Sequence, residues 1–234
     1  MTLESVEKLA NQQARVEDKE LSVSTDETAS LRRRPERRSQ AERRGQSDRR
    51  MLRAAERLIA RRGVAGTSLA DVGLAAGYSR GLPVERFGSK IGLVKAVLEA
   101  MDGWFRTHLA RLLEGKKGLA ALELRIDAHL GSAQRSASAT AALYSIYLES
   151  LFIMPELQDG VARFTRQWRD GIAGDLAEAQ RLGEIDRDVD CVAEASFLLA
   201  AMRGLMVQYL MDRSTEDLAR SKAILLARFP RRRK

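Results

Sequence analysis

The spacing of apolar residues constrains the fold of this chain more than any other sequence feature. From about residue 48 onward they recur with the 3.6-residue period of an amphipathic helix, and no segment shows the strict alternation of a strand. Hydrophobic residues make up 44% of the 234 residues and aromatic residues only 5%, so Leu, Ala, Val and Ile must build the core. This balance favours helices over sheets. The sequence therefore predicts an all-α protein.

Composition divides the chain into four regions. Residues 1–38, which include "LRRRPERR", predict a disordered arginine-rich arm, either a solvated tail or a segment that contacts nucleic-acid phosphates. Residues 39–88 predict a unit of three helices, and residues 89–228 a larger helical domain. Residues 229–234 form a basic tail. The larger domain follows the smaller one without an obvious linker.

Capping residues predict where the helices of the three-helix unit begin and end. Serine N-caps are expected before the first four helices, at Ser39 (with Glu42 completing a capping box), Ser68, Ser79 and Ser89. Gly63 and Gly77 end the first two helices, and the third ends near Arg86. Gly45 weakens the first turns of helix one, which places its firm start near Asp48. Two short helices joined by a tight Gly-containing turn are typical of a helix-turn-helix.

The third predicted helix, within "GYSRGLPVERFGSK", is short and basic and contains Pro83. A helix that enters a DNA groove contributes little to its own core, and Pro83 is tolerated in a first turn. Arg80 can pair with guanine or a phosphate, and Gly81 allows close backbone approach. Thr67, Ser68, Tyr78, Ser79 and Lys90 surround it as candidate phosphate contacts, and Val84 as a candidate for a thymine methyl. Read structurally, the same residues are ordinary caps and solvated charges.

The segment "RMLRAAERLIARRGVAGTSLADVGLAAGYSRGLPVERFGSKIGLVKAVLEAM" resembles the DNA-binding domain of the TetR family of bacterial transcriptional regulators. The resemblance implies a homodimer that reads a pseudopalindromic operator and a C-terminal domain that dimerises and binds an effector. It implies DNA contacts by Thr67, Ser68, Ser79, Arg80, Gly81 and Lys90, and an anchoring role for Phe87. Two positions depart from the family: Pro83-Val84 stands where Leu-Tyr is common, and Gly73 where Ala is usual.

The predicted helices over residues 155–182 and 188–211 carry more apolar surface than a monomer needs, unless the second is simply the centre of the subunit core. The resemblance places this pair in an intersubunit four-helix bundle. The expected dimer contacts are Phe164, Trp168, Ile172, Leu198, Met202, Leu205 and Tyr209.

A pocket for a small apolar or aromatic effector is expected among the middle helices, although each of its candidate residues could equally be core. The candidates are Trp104, Phe105, His108, Arg125, His129, Tyr144, Tyr147 and Trp168, with Glu149 beside them. Neither a cofactor nor a metal site is expected, because the chain has two histidines, one cysteine and no HxxxH or CxxC spacing.

The function classes follow from motifs and charge. The sequence has no Walker loop, GxGxxG or GxSxG motif, so we expect no catalytic residues and no enzyme. A net charge of +8 suits a polyanionic partner such as double-stranded DNA. Without a signal peptide or a long uninterrupted apolar run, the expected location is cytoplasmic, on the nucleoid, with no membrane partner. The alternative to a ligand-responsive regulator, most simply a repressor, is a nonspecific basic nucleoid or adaptor protein.

Overall fold

The computed structural model describes residues 39–214 and 217–229. The predicted arm and nearly all of the basic tail lie outside these residues. The described chain contains α-helices and one short 3₁₀ turn, Pro155–Leu157, and no strand, which confirms the all-α prediction. In chain order the helices are α1 Gln40–Arg62, α2 Leu69–Ala75, α3 Leu82–Phe87, α4 Lys90–Leu112, α5 Gly118–Leu130, α6 Ser132–Arg135, α7 Ala137–Phe152, α8 Gln158–Arg181, α9 Cys191–Met211 and α10 Leu218–Ala227.

The first hydrophobic core joins α1 to α4 and to α7. Met51, Ala54 and Ile59 on the inner face of α1 are buried beside Leu93 of α4 and Ile146 of α7. These residues carry the helical spacing that the sequence shows. The three-helix unit, α1–α3, is therefore packed directly on a helix of the larger part.

The second core lies between α5, α8 and α9. Leu122 and Ile126 of α5 meet Ile172 of α8 and Leu198 and Met202 of α9, all fully enclosed. This packing explains the apolar inner face of α9 without a second subunit.

The second core also corrects the predicted dimer contacts. Phe164 and Trp168 are 6% and 5% exposed, and Ile172, Leu198 and Met202 are fully buried in their own subunit. Leu205 and Tyr209 are partly buried and pack on the same core. Phe164, Trp168, Ile172, Leu198 and Met202 are subunit core because they form the inner stripes of α8 and α9. Leu205 and Tyr209 keep part of their surface exposed and remain predicted dimer contacts.

Several helix boundaries differ from the predicted ones. Helix α1 runs unbroken from Gln40, so Gly45 does not delay its start. The sequence also predicts one helix over "GLAALELRIDAHLGSAQR", which instead breaks at Gly131 into α5 and α6. It further predicts Ser214 as the cap of the last helix, but the cap of α10 is Asp217, which accepts from the backbone N–H groups of Ala219 and Arg220. A carboxylate one turn later outcompetes the serine hydroxyl, which donates instead to Asp212.

By length and composition alone, α9 is apolar enough to cross a membrane. This is weak evidence, since one face of α9 lies in the second core and the helix carries Glu194 and Arg203. The core helix of a globular protein passes the same test.

Candidate functional site

The predicted helix-turn-helix is present, and its local signals work largely as expected. The hydroxyl of Ser68 caps α2 by accepting from the N–H of Asp71 at 3.1 Å. Gly77 takes a φ of 79° after α2, a left-handed conformation that favours glycine. The N–H of Tyr78 then donates to the carbonyl of Gly73 at 2.8 Å. The turn toward α3 is thus held by backbone hydrogen bonds.

Two departures from the family pattern, Gly73 and Pro83, prove to be in contact. A Cβ atom on Gly73 would lie 2.4 Å from the carbonyl oxygen of Ser79 and 3.2 Å from Cδ of Pro83. The ring of Pro83 is buried in the first turn of α3, where a missing N–H costs little. Gly73 therefore allows α2 to approach the turn and α3 closely.

The outer face of this unit carries most of the predicted DNA contacts. Ser68, Ser79, Arg80, Gly81 and Val84 are all exposed, and Val84 is 50% exposed although it is apolar. Tyr78 is partly buried and packs against the first core. A Cβ at Gly81 would meet no heavy atom within 4 Å, so this side of the backbone is open to an approaching ligand.

The start of α3 differs from the prediction. Ser79 does not cap it, because the N-cap position is Gly81, which has no side chain to offer. Ser79 and Arg80 instead lie in the turn before the helix. Phe87, at the end of α3, packs against the first core as expected of an anchor.

Thr67 and Lys90 both bind carbonyls within the fold, and the burial of Thr67 corrects its assignment as a phosphate contact, whereas Lys90 is partly exposed and remains a predicted one. Thr67 is 4% exposed, and its hydroxyl donates to the carbonyl of Gly63 at 2.8 Å. The ammonium of Lys90 donates to the carbonyls of Val64 at 3.2 Å and Ala65 at 2.7 Å. Both side chains satisfy carbonyls in the turn after α1, which a buried helix end requires.

The same turn is bound from the other side by Glu149 of α7. Its carboxylate accepts from the N–H of Val64 at 2.6 Å and of Ala65 at 2.7 Å, and from the hydroxyl of Ser145 at 2.7 Å. A Cβ at Gly63, whose φ is 74°, would lie 2.8 Å from this carboxylate. Glu149 therefore fastens α7 to the three-helix unit and does not line a pocket.

Five of the predicted pocket residues meet in one aromatic cluster. Trp168 contacts Phe105 and His129, with ring centroids 4.9 and 5.1 Å apart. Tyr144 contacts Tyr147 at 5.7 Å, and Nε2 of His129 lies 3.3 Å from the hydroxyl oxygen of Tyr144. Helices α4, α5, α7 and α8 each contribute a ring.

Burial and charge set the ionisation states in this cluster. Desolvation, helped by the positive charge of Arg203, lowers the pKa of His129 to about 3. Burial raises the pKa of Tyr144 and of Tyr147 above the ordinary tyrosine value. The imidazole and both phenols are therefore uncharged near neutral pH.

The other three predicted pocket residues lie at the edge of this cluster or in an ion pair. Trp104 is 60% exposed, stacks on His108 along α4 and meets Phe105 edge-on with ring centroids 5.9 Å apart. Arg125 donates two hydrogen bonds to Asp175 of α8, at 2.6 and 3.2 Å. That ion pair holds α5 against α8. Sequence reasoning missed Arg203, whose signal is a single arginine inside the apolar run of α9.

Comparison with known proteins matches both parts of the chain. Residues 51–97 match the model "Bacterial regulatory proteins, tetR family", and residues 118–231 match "BetI-type transcriptional repressor, C-terminal". The chain belongs to the TetR family of bacterial transcriptional regulators. It is a DNA-binding transcriptional regulator, as the sequence predicts.

Individual TetR-family relatives agree. The chain is 29% identical over 174 residues to the HTH-type transcriptional regulator TtgR of Pseudomonas putida, spanning 72% of this chain and 82% of that protein. A solved TetR-family regulator from Rhodococcus sp. has 27% identity and a TM-score of 0.67, covering 78% and 96% of the two chains. A Saccharomonospora viridis regulator solved with choline, at 22% identity and TM-score 0.70, covers 77% and 94% and shows the shared fold.

Neither metal nor thiol chemistry stands out in this TetR-family chain. The part of the chain that the structure describes holds no group of three or more His, Cys, Asp or Glu residues that could bind a metal ion. Burial, and then the Asp190 carboxylate, raise the pKa of Cys191. This thiol therefore lacks the activation that a redox sensor needs.

Proposed function

We propose that the protein is a repressor that binds a pseudopalindromic operator as a homodimer and releases it when an effector enters the aromatic cluster. The observation that carries this proposal is the exposed face formed by Ser68, Ser79, Arg80, Gly81 and Val84. They belong to a unit in which the turn after α1 is held by Thr67, Lys90 and Glu149, while Ser68 also caps α2. We place its action in the cytoplasm, on the nucleoid.

The outer face of α9 supports the homodimer. Val192, Phe197 and Met211 are 64%, 50% and 80% exposed, which is unusual for apolar side chains on a long helix. Ala200 and Gly204 lie between Phe197 and Met211 on the same face and are also exposed, whereas Val192 lies off this face at the helix start. A Cβ at Gly204, and likewise at Gly174 on α8, would meet nothing within 4 Å. A second subunit could pack closely there, at positions different from the seven predicted ones.

The link between effector and DNA runs through α7. Tyr144 and Tyr147 of the aromatic cluster and Glu149, which holds the Val64–Ala65 turn, lie on one helix within two turns. A shift of α7 caused by a ligand beside the tyrosines would move the turn that precedes α2. In a dimer this motion would change the spacing of the two α3 helices from the roughly 34 Å that adjacent major grooves require. Such coupling requires two discrete conformations of the protein, and the effector and the operator DNA must each favour a different one.

Selection of bound fragments from a random DNA pool with the purified full chain tests the proposed function. We expect one pseudopalindromic motif, bound about 10³-fold or more tightly than random DNA at physiological salt. The alternative, a nonspecific basic binder, yields no motif and loses affinity equally on all sequences as salt rises. Recovery of unrelated fragments with that uniform salt dependence would reject the regulator in favour of the nonspecific binder.

A further inference from the structure

Arg203 brings a positive charge to the aromatic cluster without a carboxylate to balance it. Its Nη2 donates to the hydroxyl of Thr165 at 3.0 Å, and its guanidinium carbon lies 4.8 Å from the ring centroid of Tyr147. Its Nε is buried and has no hydrogen-bond partner. Among the described residues, no acidic side chain forms a salt bridge with Arg203. A guanidinium in a low-dielectric interior is costly unless it is paired.

The groups around Arg203 do not supply the missing negative charge. His129 is neutral, and Tyr144 and Tyr147 are protonated phenols, because burial opposes the charged form of each. Asp102, whose charge also acts on Tyr147, is paired with Arg106 one turn along α4 at 3.2 Å. The cluster therefore keeps a net positive potential near neutral pH.

The surroundings of this charge are apolar and aromatic. Tyr147 contacts Phe164 with ring centroids 6.2 Å apart, in addition to its contact with Tyr144. A groove of about 280 Å³ lies between α4 and α8, and Phe164 is its one aromatic lining residue. The rest of its lining is mostly polar and charged: Lys95, Leu98, Glu99, Asp102, Asp159, Gly160, Arg163 and Gln167. Tyr147, His129 and Arg203 remain partly accessible. The groove thus meets the cluster at Phe164, and Arg203 is not part of its lining.

We propose that this site binds an organic monoanion, with Arg203 paired to its carboxylate and the rings of Tyr147 and Phe164 packed on its apolar body. The proposal rests on the proposed function in that this anion is the effector. A guanidinium presents two parallel N–H donors that match a carboxylate, and Nε is one donor of such a pair. A cationic ligand would meet like charge at the same point. The site therefore selects for the charge of the ligand as well as for an apolar body.

Calorimetric titration of the full chain, without DNA, tests the proposal with three carboxylates and their neutral amides. The probes are benzoate, phenylacetate and 1-naphthoate against benzamide, phenylacetamide and 1-naphthamide. We expect at least one carboxylate to bind with a Kd below about 1 mM and at least about tenfold more tightly than its amide. Arg203→Met should remove that preference, and Arg203→Lys should retain part of it. Arg166→Met, which removes an exposed arginine of α8 outside the groove, is the matched control and should keep the preference.

Three results would overturn the proposal. They are equal binding of acid and amide, unchanged carboxylate binding in Arg203→Met, and no binding of any of the three carboxylates up to about 1 mM. Loss of binding through misfolding is recognised by thermal unfolding without ligand. Since Arg203→Met removes an unpaired buried charge, we expect its Tm to equal or exceed that of the wild type. A large fall in Tm would show that Arg203 stabilises the core, against the proposal.

Operator binding separates this proposal from the proposed function. Without ligand, Arg203→Met should bind the selected operator as the wild type does, but carboxylate should no longer release it. If the wild type binds carboxylate yet recognises no operator, the regulator proposal fails and the anion site stands. If the operator is recognised and acid and amide bind alike, the anion site fails and the regulator stands.

Discussion

The carboxylate of Glu149 accepts the backbone N–H of Val64 at 2.6 Å, across 85 residues of sequence. With the second bond, from Ala65, it is a direct polar link between the aromatic helix α7 and the turn that leads into α2. The ammonium of Lys90 binds the carbonyls of the same two residues. One peptide turn is thus held by an anion on its N–H side and a cation on its carbonyl side.

Glu149→Ala should destabilise the protein by about 1–3 kcal/mol, because the N–H of buried Val64 loses its acceptor. Urea unfolding measures this loss. We also expect the effector to change operator affinity less than in the wild type, since α7 is no longer hydrogen-bonded to the Val64–Ala65 turn. Glu156→Ala, at an exposed carboxylate within the 3₁₀ turn, is the control and should change neither property. Full effector response in Glu149→Ala would show that coupling takes another route.

Gly73→Ala should lower the free energy of unfolding by about 1–3 kcal/mol, because its Cβ would clash with the Ser79 carbonyl oxygen. The backbone cannot yield as a flexible side chain would. Gly81→Ala provides the contrast: its Cβ enters open space and its φ of −84° suits any residue, so stability should hold. Operator affinity should nevertheless fall in Gly81→Ala if the backbone approaches DNA there. Equal unfolding curves for wild type and Gly73→Ala would contradict the packing account.

Sequence patterns correctly predicted the all-α fold class and much of the local detail of the three-helix unit. Ser68, Gly63 and Gly77 act through bonds to near neighbours in the chain, so their roles are visible in short segments. Leu198 and Met202 were wrongly predicted as dimer contacts because the most apolar stripe of a helix packs against the core of its own subunit. Both side chains are fully buried there. The structural bonds of Lys90 were not predicted because its partner carbonyls are 25 and 26 residues away.

Gly204→Glu should convert the proposed homodimer to monomer while leaving the subunit folded. The new side chain extends from the exposed face of α9, where a Cβ meets nothing in its own subunit. In a close-packed interface it would bury an unpaired charge. Gly103→Glu, at a helical glycine of α4 with equally open space, should remain dimeric. Sedimentation velocity distinguishes them, and a dimeric Gly204→Glu would exclude this face.

Arg80→Ala should reduce operator affinity by at least about tenfold without changing stability or oligomeric state, because Arg80 is exposed in the turn before α3. Lys90→Met should lower the stability of the fold, because the carbonyls of Val64 and Ala65 lose their donor. Fluorescence anisotropy with labelled operator measures the first effect, and thermal unfolding the second. Unchanged operator affinity in Arg80→Ala would exclude the turn before α3 from the DNA interface.

Acid should destabilise the fold through His129. Its pKa is about 3 in the folded chain against an ordinary value of 6.5, so between these values the unfolded chain binds the extra proton. The contribution is complete above about pH 6.5 and declines as pH falls toward 3, by at most about 1.4 kcal/mol per pH unit. Urea unfolding across this range should show a shallower slope for His129→Gln than for the wild type. A wild-type slope in His129→Gln would show that this neutral imidazole is not the source of the acid sensitivity.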